Sequence, residues 1–226
     1  MIKNKKQGHL IVISAPSGAG KDTVVKKLLE RDNNNYWVSV SATSRSPRKG
    51  EKEGIDYYFL SKEDFEKKIK EGYFLEYTKY ADNYYGTPKE YIKNNLDKGF
   101  DVILIIEIEG AQNIKEMLPE SILIFIMPPS IKELVNRLKK RGTEDNEKIL
   151  KRFNKTYKEI NEVTKYNYVV VNDDIDEAAS KIEAIIKAEK CRVDRIEEVF
   201  LDTKEEEIHE LLMNGEFDNT PTSERI

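Results

Sequence analysis

Apolar residues fall into two kinds of pattern along the chain. Residues 9–13 (H-L-I-V-I), 101–106 (D-V-I-L-I-I) and 122–127 (I-L-I-F-I-M) are apolar almost without a break, as strands covered on both faces must be. A further strand is expected at residues 168–171. Between these runs apolar positions recur at helical spacing. Val24, Val25, Leu28 and Leu29 mark one helix, Pro88 opens another that ends near Lys98-Gly99, and residues 110–117 form a third. Pro128-Pro129-Ser130 caps a helix running through Arg141 to a stop at Gly142. A long helix follows to about residue 164, and a last one spans about 175–190. Parallel strands need crossovers between them, so this alternation predicts an α/β fold with a mainly parallel central sheet and right-handed connections.

Residues 54–87 interrupt the alternation with a different texture. A strand expected at residues 37–42 (W-V-S-V-S-A) runs into Thr43-Ser44-Arg45-Ser46-Pro47-Arg48-Lys49-Gly50, where Pro47 and Gly50 break it. Short aromatic-rich strands at 57–60 and 74–80 then flank one helix at 62–71, which predicts a small inserted α+β subdomain. The domain is thus expected to span residues 1–196: a core of 9–40 and 88–190, an insertion of about 41–87, and a lid of about 137–155 around the polar stretch 143–147. Residues 197–226 form an acidic extension with a short amphipathic helix pattern at Ile208, Leu211 and Leu212.

Charge is unevenly spread over the 226 residues. The extension carries ten acidic side chains against Lys204 and Arg225, a balance of −8, which leaves +4 on the body of the chain. A mildly basic body suits an anionic ligand in a cleft and argues against a nucleic-acid face. No run reaches the ~20 apolar residues of a membrane span, and the first residues lack a secretion signal, so a cytoplasmic protein is expected. Cys191, the single cysteine, excludes an intrachain disulfide and is expected to be a partly buried thiol.

The candidate chemistry starts at Ala15-Pro16-Ser17-Gly18-Ala19-Gly20-Lys21-Asp22-Thr23, a small-residue turn between a strand and a helix. Such a turn aims backbone N–H groups at the helix N-terminus, where partial positive charge favours phosphate, and Lys21 adds a full charge. Against the phosphate-loop pattern G-x-x-x-x-G-K-[ST], Ala15 replaces the first glycine and Asp22 the hydroxyl residue. In a parallel sheet the cleft lies at the carboxyl ends of the strands. The loop, the basic turn with Arg45 and Arg48, and Glu107 therefore open into one space. Arg137, Arg141 and Arg152 flank the lid-like polar stretch, and guanidinium forks match phosphate oxygens.

The chain resembles the guanylate kinases, which move a phosphoryl group from ATP to GMP. The likeness covers residues 9 to about 190 and rests on eight segments in the family's order. These are S-x-P-S-G-x-G-K, V-S-x-T-x-R-x-P-R-x-G-E, D-Y-x-F, F-L-E-Y, N-Y-Y-G-T, G-A-Q, R-L-x-x-R-G-T and V-V-N-D-D. The resemblance implies a P-loop fold with a GMP-binding insertion and helical lid. It assigns Ser41, Arg45, Arg48, Tyr57, Glu76, Tyr85, Thr87 and Glu107 to GMP. Within that set Glu76, Ser41 and Thr87 read the guanine edge, and the arginines and tyrosines take the phosphate. Residues 15–23 and Asn172 would hold ATP, with Asn172 near its adenine. Lys21, Arg45, Arg137, Arg141 and Arg152 would serve transfer, and Mg2+ would travel with ATP near Asp22 and Thr23. It also implies small-molecule nucleotides as partners, without nucleic acid or membrane, and a monomer or homodimer.

Two departures from the family remain. Where the family has an acid-I-acid run before Gln-Gly-Ala, this chain has Ile105-Ile106-Glu107-Ile108-Glu109 ahead of Gly110-Ala111. A gapless alignment keeps Glu107 as the second acid; a two-residue deletion would make Glu107 and Glu109 the pair. Asp22 either meets magnesium through water or faces solvent and favours the helix dipole. Two readings compete with a GMP kinase: a noncatalytic binding module of the same fold, and a related kinase with another phosphorylated acceptor. Lys21, Gly18, Gly20 and the three arginines speak against the first, and Glu76, Ser41 and Thr87 against the second.

Overall fold

The computed structural model describes residues 2–4, 7–31, 35–80, 82–140, 146–199 and 213. In chain order it contains β1 (Ile2–Asn4), β2 (Leu10–Ser14), α1 (Lys21–Leu29), β3 (Tyr36–Val38), β4 (Ala42–Thr43), β5 (Tyr58–Phe59), α2 (Lys62–Lys70), β6 (Phe74–Tyr80) and β7 (Asn83–Pro88). The chain continues through α3 (Lys89–Asp97), β8 (Asp101–Ile105), α4 (Ile108–Met117), β9 (Ile122–Met127), α5 (Ile131–Lys140), α6 (Asn146–Asn161), β10 (Tyr168–Val171), α7 (Ile175–Glu189) and β11 (Ile196–Val199).

Five parallel strands form the central sheet in the order β10-β9-β2-β8-β3. Alternate residues of each strand face opposite sides, so one apolar run supplies two cores. Ile11, Ile13, Ile103, Ile122, Ile124 and Ile126 pack with Val24, Val25 and Leu28 of α1 and Ala178, Ala179, Ile182 and Ile186 of α7. Leu10, Val12, Val102, Leu104 and Leu123 pack on the other side with Ile92 of α3 and Ala111 and Ile114 of α4. The result is three layers, helix on sheet on helix.

A second, four-stranded sheet, β5-β4-β7-β6, arises from residues 42–88. Its small core is Ala42, Phe65 and Phe74, with Phe65 stacked on Phe74 at 4.4 Å and on Tyr84 at 5.3 Å between centroids. Helix α2 starts at Ser61, whose hydroxyl accepts the Asp64 N–H at 3.0 Å.

The expected strand at 37–42 is divided between two sheets: β3 ends at Val38 and β4 begins at Ala42. Alternation within W-V-S-V-S-A cannot reveal that its two ends pair with different partners, β8 and β7. Strand β7 was unmarked in the sequence because Gly86 and Pro88 lie in it; Pro88 is its last residue and also caps α3. The long helix stops at Asn161 and tightens into a 3-10 turn at Glu162–Lys165. Cys191 corrects the expectation of partial burial: α7 ends at Glu189 and the thiol is exposed in the turn beyond it.

The described residues within 1–5 and 188–226 make up a separate compact unit. Within it β1 and β11 pair antiparallel, Ile2 opposite Val199, and buried Arg195 meets buried Glu189 at 2.9 Å. Neither short strand was legible in the sequence. The amphipathic pattern at Ile208, Leu211 and Leu212, and His209 beside it, lie outside the described residues. No helix among the described residues is long and apolar enough to cross a membrane.

Candidate active site

The turn after β2 closes with Ala19 N–H donating to the Pro16 carbonyl at 3.1 Å. It passes through Gly18 at φ 91° and Gly20 at φ 87°, the left-handed region. Gly20 then stands at the start of α1 with no side-chain cap, leaving the first amides of the helix to a ligand. Lys21 Nζ reaches back to the Ile106 carbonyl at 3.3 Å, which also accepts Ser14 Oγ at 3.0 Å. The Ser17 N–H points at Glu159 Oε2 of α6 at 3.3 Å, so an anionic oxygen already finds this loop a donor.

A cleft of about 350 Å³ opens in front of this turn. Ala15, Pro16, Ser17, Gly18, Gly20, Lys21 and Asp22 line one side, and Ser41, Arg45, Arg48, Tyr57, Glu76 and Tyr85 the other. The second set comes from the small sheet and the turn beside it. Glu51 grips the Arg45 fork with both oxygens at 2.9 Å and takes the Arg48 N–H at 2.6 Å, fixing the basic turn. The bond to Glu51 raises the Arg45 pKa further, and the arginine holds the Glu51 carboxyl below its usual range. The Tyr57 ring lies 5.4 Å from the guanidinium, and burial pushes its hydroxyl up. Arg45 Nε is buried and bonds to no protein group, so this donor is left for a ligand oxygen.

Glu76 on β6 is 6% exposed. Its Oε1 accepts the Thr87 hydroxyl at 2.6 Å, because β6 and β7 set Glu76 opposite Thr87. Burial pushes the carboxyl up to about 7, the Thr87 bond opposes this, and the Glu109 charge adds to it. A Cβ on Gly110 would lie 2.6 Å from Glu76 Oε2, so only glycine lets α4 approach the carboxylate this closely.

Of the residues expected from the sequence, fourteen line the cleft, Glu107 among them as the N-cap residue of α4, and Thr87 bonds directly to the lining residue Glu76. Thr23 sits exposed in the first turn of α1, outside the lining, as the chain has turned into the helix by then. Ala19, Asn172 and Arg137 also lie outside the lining, grouped around the Ala19 carbonyl. Arg141 and the side chain of Arg152 lie outside the described residues. Thr78, Gly86, Ile105, Ile106 and Glu159 line the cleft as well and were not anticipated. Thr78 was findable, two residues beyond Glu76 on the same face of β6. Glu159 carried no signal, since 142 positions separate it from Ser17.

No group of three or more His, Cys, Asp or Glu side chains among the described residues is placed to hold a metal by itself. Of the four carboxylates lining the cleft, Glu76 accepts from Thr87 and Glu159 from the Ser17 N–H, while Asp22 and Glu107 stand singly beside the loop. That donor set fits magnesium brought by a nucleotide, which keeps phosphate oxygens and water alongside one or two carboxylates.

Comparison with known proteins agrees with this arrangement. The guanylate kinase family profile matches residues 7–189. The chain is 59% identical over 207 residues to a guanylate kinase of Clostridium tetani, covering 92% of this chain and 99% of that one. It is 56% identical over 204 residues to a guanylate kinase of Caldanaerobacter subterraneus, covering 90% and 98%. The crystal structure of guanylate kinase from Anaplasma phagocytophilum superposes with a TM-score of 0.72 at 37% identity, over 87% of this chain and 93% of that one. A phosphate loop, a facing basic turn and a buried carboxylate in one cleft, on a chain this similar over nearly its whole length, place the protein in the guanylate kinase family.

Proposed function

We propose that the protein transfers the terminal phosphoryl group of ATP to GMP or dGMP, giving ADP and the corresponding diphosphate. The observation that carries the choice of acceptor is Glu76, a buried carboxylate across the cleft from the phosphate loop. A carboxylate accepts and never donates, and guanine offers two adjacent donors where adenine offers none in that arrangement. A base that leaves such a group unpaired is rejected by about 10⁴-fold.

Lys21 and the loop amides take the donor phosphates; Arg45 and Arg48, with the hydroxyls of Tyr57 and Tyr85, take the phosphate of GMP. Ser41 and Thr87 complete the guanine edge with Glu76. No general base is required, because a phosphomonoester has its second pKa near about 6 and its attacking oxygen is ionised at neutral pH. His9 is consistent with this: its ring is engaged with Asp101 at 3.3 Å, at the far end of β2 from the loop. The protein's task is to align two polyanions and offset their repulsion. Magnesium bound to the donor phosphates, near Asp22 and Glu107, would neutralise part of that charge.

A coupled assay of ADP release with ATP and magnesium, offering GMP, dGMP, AMP, UMP and IMP in turn, tests the reading. GMP and dGMP should be the favoured acceptors, and preference for any other would overturn it. The same assay decides against a noncatalytic binding module if turnover is found.

A further inference from the structure

The residue following β10, Asn172, is 3% exposed and does not line the cleft. Its Nδ2 donates to the Ala19 carbonyl at 2.7 Å across 153 positions of sequence. The assignment of nitrogen and oxygen is fixed by chemistry, as a carbonyl can only accept. Arg137 of α5 adds a second donor, Nη1 to the same carbonyl at 3.4 Å, and holds the Asn172 carbonyl with Nη2 at 3.4 Å. Its own fork is steadied by Glu133 at 2.8 Å. A Cβ on Gly20 would come within 2.5 Å of Asn172 Nδ2, so the loop leaves room for this amide and for little else.

The consequence follows from peptide geometry. A trans peptide is planar, with its C=O and its N–H pointing in opposite directions. A bond that draws the Ala19 oxygen away from the cleft therefore turns the Gly20 N–H toward it. Gly20 lines the cleft while Ala19 is fully buried, which agrees with a peptide held in that sense. Left alone, a peptide preceding a left-handed glycine has little to stop it rotating.

We infer that Asn172, seconded by Arg137, is a positioning residue for donor phosphate: it orients the Ala19–Gly20 peptide so that the Gly20 N–H faces the phosphates. The inference rests on the reading of the loop as the ATP seat. It assigns Asn172 to the polyphosphate chain, whereas the sequence resemblance assigns it to binding ATP at the adenine.

The test compares Asn172→Asp and Asn172→Ala with the unaltered protein, using inorganic tripolyphosphate as the probe in calorimetric titration and ATP and ITP as donors in the assay. Asp keeps the shape but faces a carbonyl with a carboxylate, which cannot donate. The expected result is about tenfold weaker tripolyphosphate binding and an ATP KM raised to the same extent, with the ratio of ATP to ITP efficiency and the KM for GMP unchanged. An ATP to ITP ratio that collapses while tripolyphosphate binding stays put would mean that Asn172 reads the base, and would overturn the inference; so would no change in any of these. If both Asn172 variants fail to fold, judged by thermal melting, Arg137→Gln replaces them, with tripolyphosphate binding weakened about two- to fivefold as the expected result and no weakening as the contrary one. Titration with tripolyphosphate needs no turnover. Failure of GMP phosphorylation would thus sink the proposed function, and unaltered titration of the variants would sink only this inference.

Discussion

The two walls of the cleft are built by opposite means. The proposed donor wall is main chain: a loop of small residues with its amides at the start of α1, standing on strands and helices that share a large buried apolar core. The proposed acceptor wall is side chain: Glu76, Tyr85 and Thr87 on a four-stranded sheet whose core is only Ala42, Phe65 and Phe74, with Arg45 and Tyr57 from the segments beside its strands. Phosphate, common to every nucleotide, can be held by a backbone that carries no base specificity. Discriminating one base needs a side-chain acceptor in a fixed place, and that brings buried polar groups with their cost. The raised Glu76 carboxyl and the unbonded Arg45 Nε are both on the acceptor wall.

This contrast is broken most severely at Lys21. Lys21→Ala should lower turnover by about a thousandfold or more with every acceptor, and an effect confined to GMP would contradict the division between the walls. Glu76→Gln comes next. Steady-state assays should show kcat/KM for GMP down about a hundredfold while the KM for ATP stays near its starting value. An equal loss for both substrates would mean that Glu76 supports the fold and not the base.

The same carboxyl makes opposite demands on binding and stability. Guanine needs the ionised form, so the KM for GMP should rise about fivefold between pH 7 and pH 6 in the unaltered protein, beyond any change in Glu76→Gln. The folded-state pKa of about 7 lies above the ordinary value of 4.5. The folded protein therefore binds the proton more tightly than the unfolded chain, and stability falls as pH rises from about 4.5 through 7. Glu76→Gln should then melt higher at pH 8, by about 2–3 kcal/mol of stability, although it binds GMP poorly. A lower melting temperature at that pH would refute burial as the source of the shift.

Smaller effects sharpen the picture. Glu51→Gln removes the charge that both grips Arg45 and caps Arg48, and should raise the KM for GMP on the order of tenfold with the KM for ATP unchanged. Asp22→Ser should change kcat/KM by less than about tenfold. A larger loss would make the Asp22 carboxylate an organised part of the magnesium site.

How far each wall could be read from the sequence follows from the same contrast. The central strands were legible because burial on both faces demands unbroken apolar runs, and the loop because strand, small residues, Lys21 and helix are contiguous. The small sheet was only half legible: β7 hides behind Gly86 and Pro88, and residues 37–42 feed two sheets. Glu76 and Thr87 were expected at the guanine edge from the family's motifs, but their direct 2.6 Å bond depends on the pairing of β6 with β7.

What the sequence determined by itself, then, is what lies within one element or one turn: the parallel core, the loop with Lys21, the basic turn with Arg45 and Arg48. Such features are written in short-range periodicity and turn chemistry. The tertiary structure alone decided which distant groups share a charge or a proton. Glu159 reaches Ser17, Gly110 makes room for Glu76, and Asn172 bonds to the Ala19 carbonyl just ahead of Gly20. Each of these depends on where crossovers bring separate strands and helices, and no local pattern of residues records that.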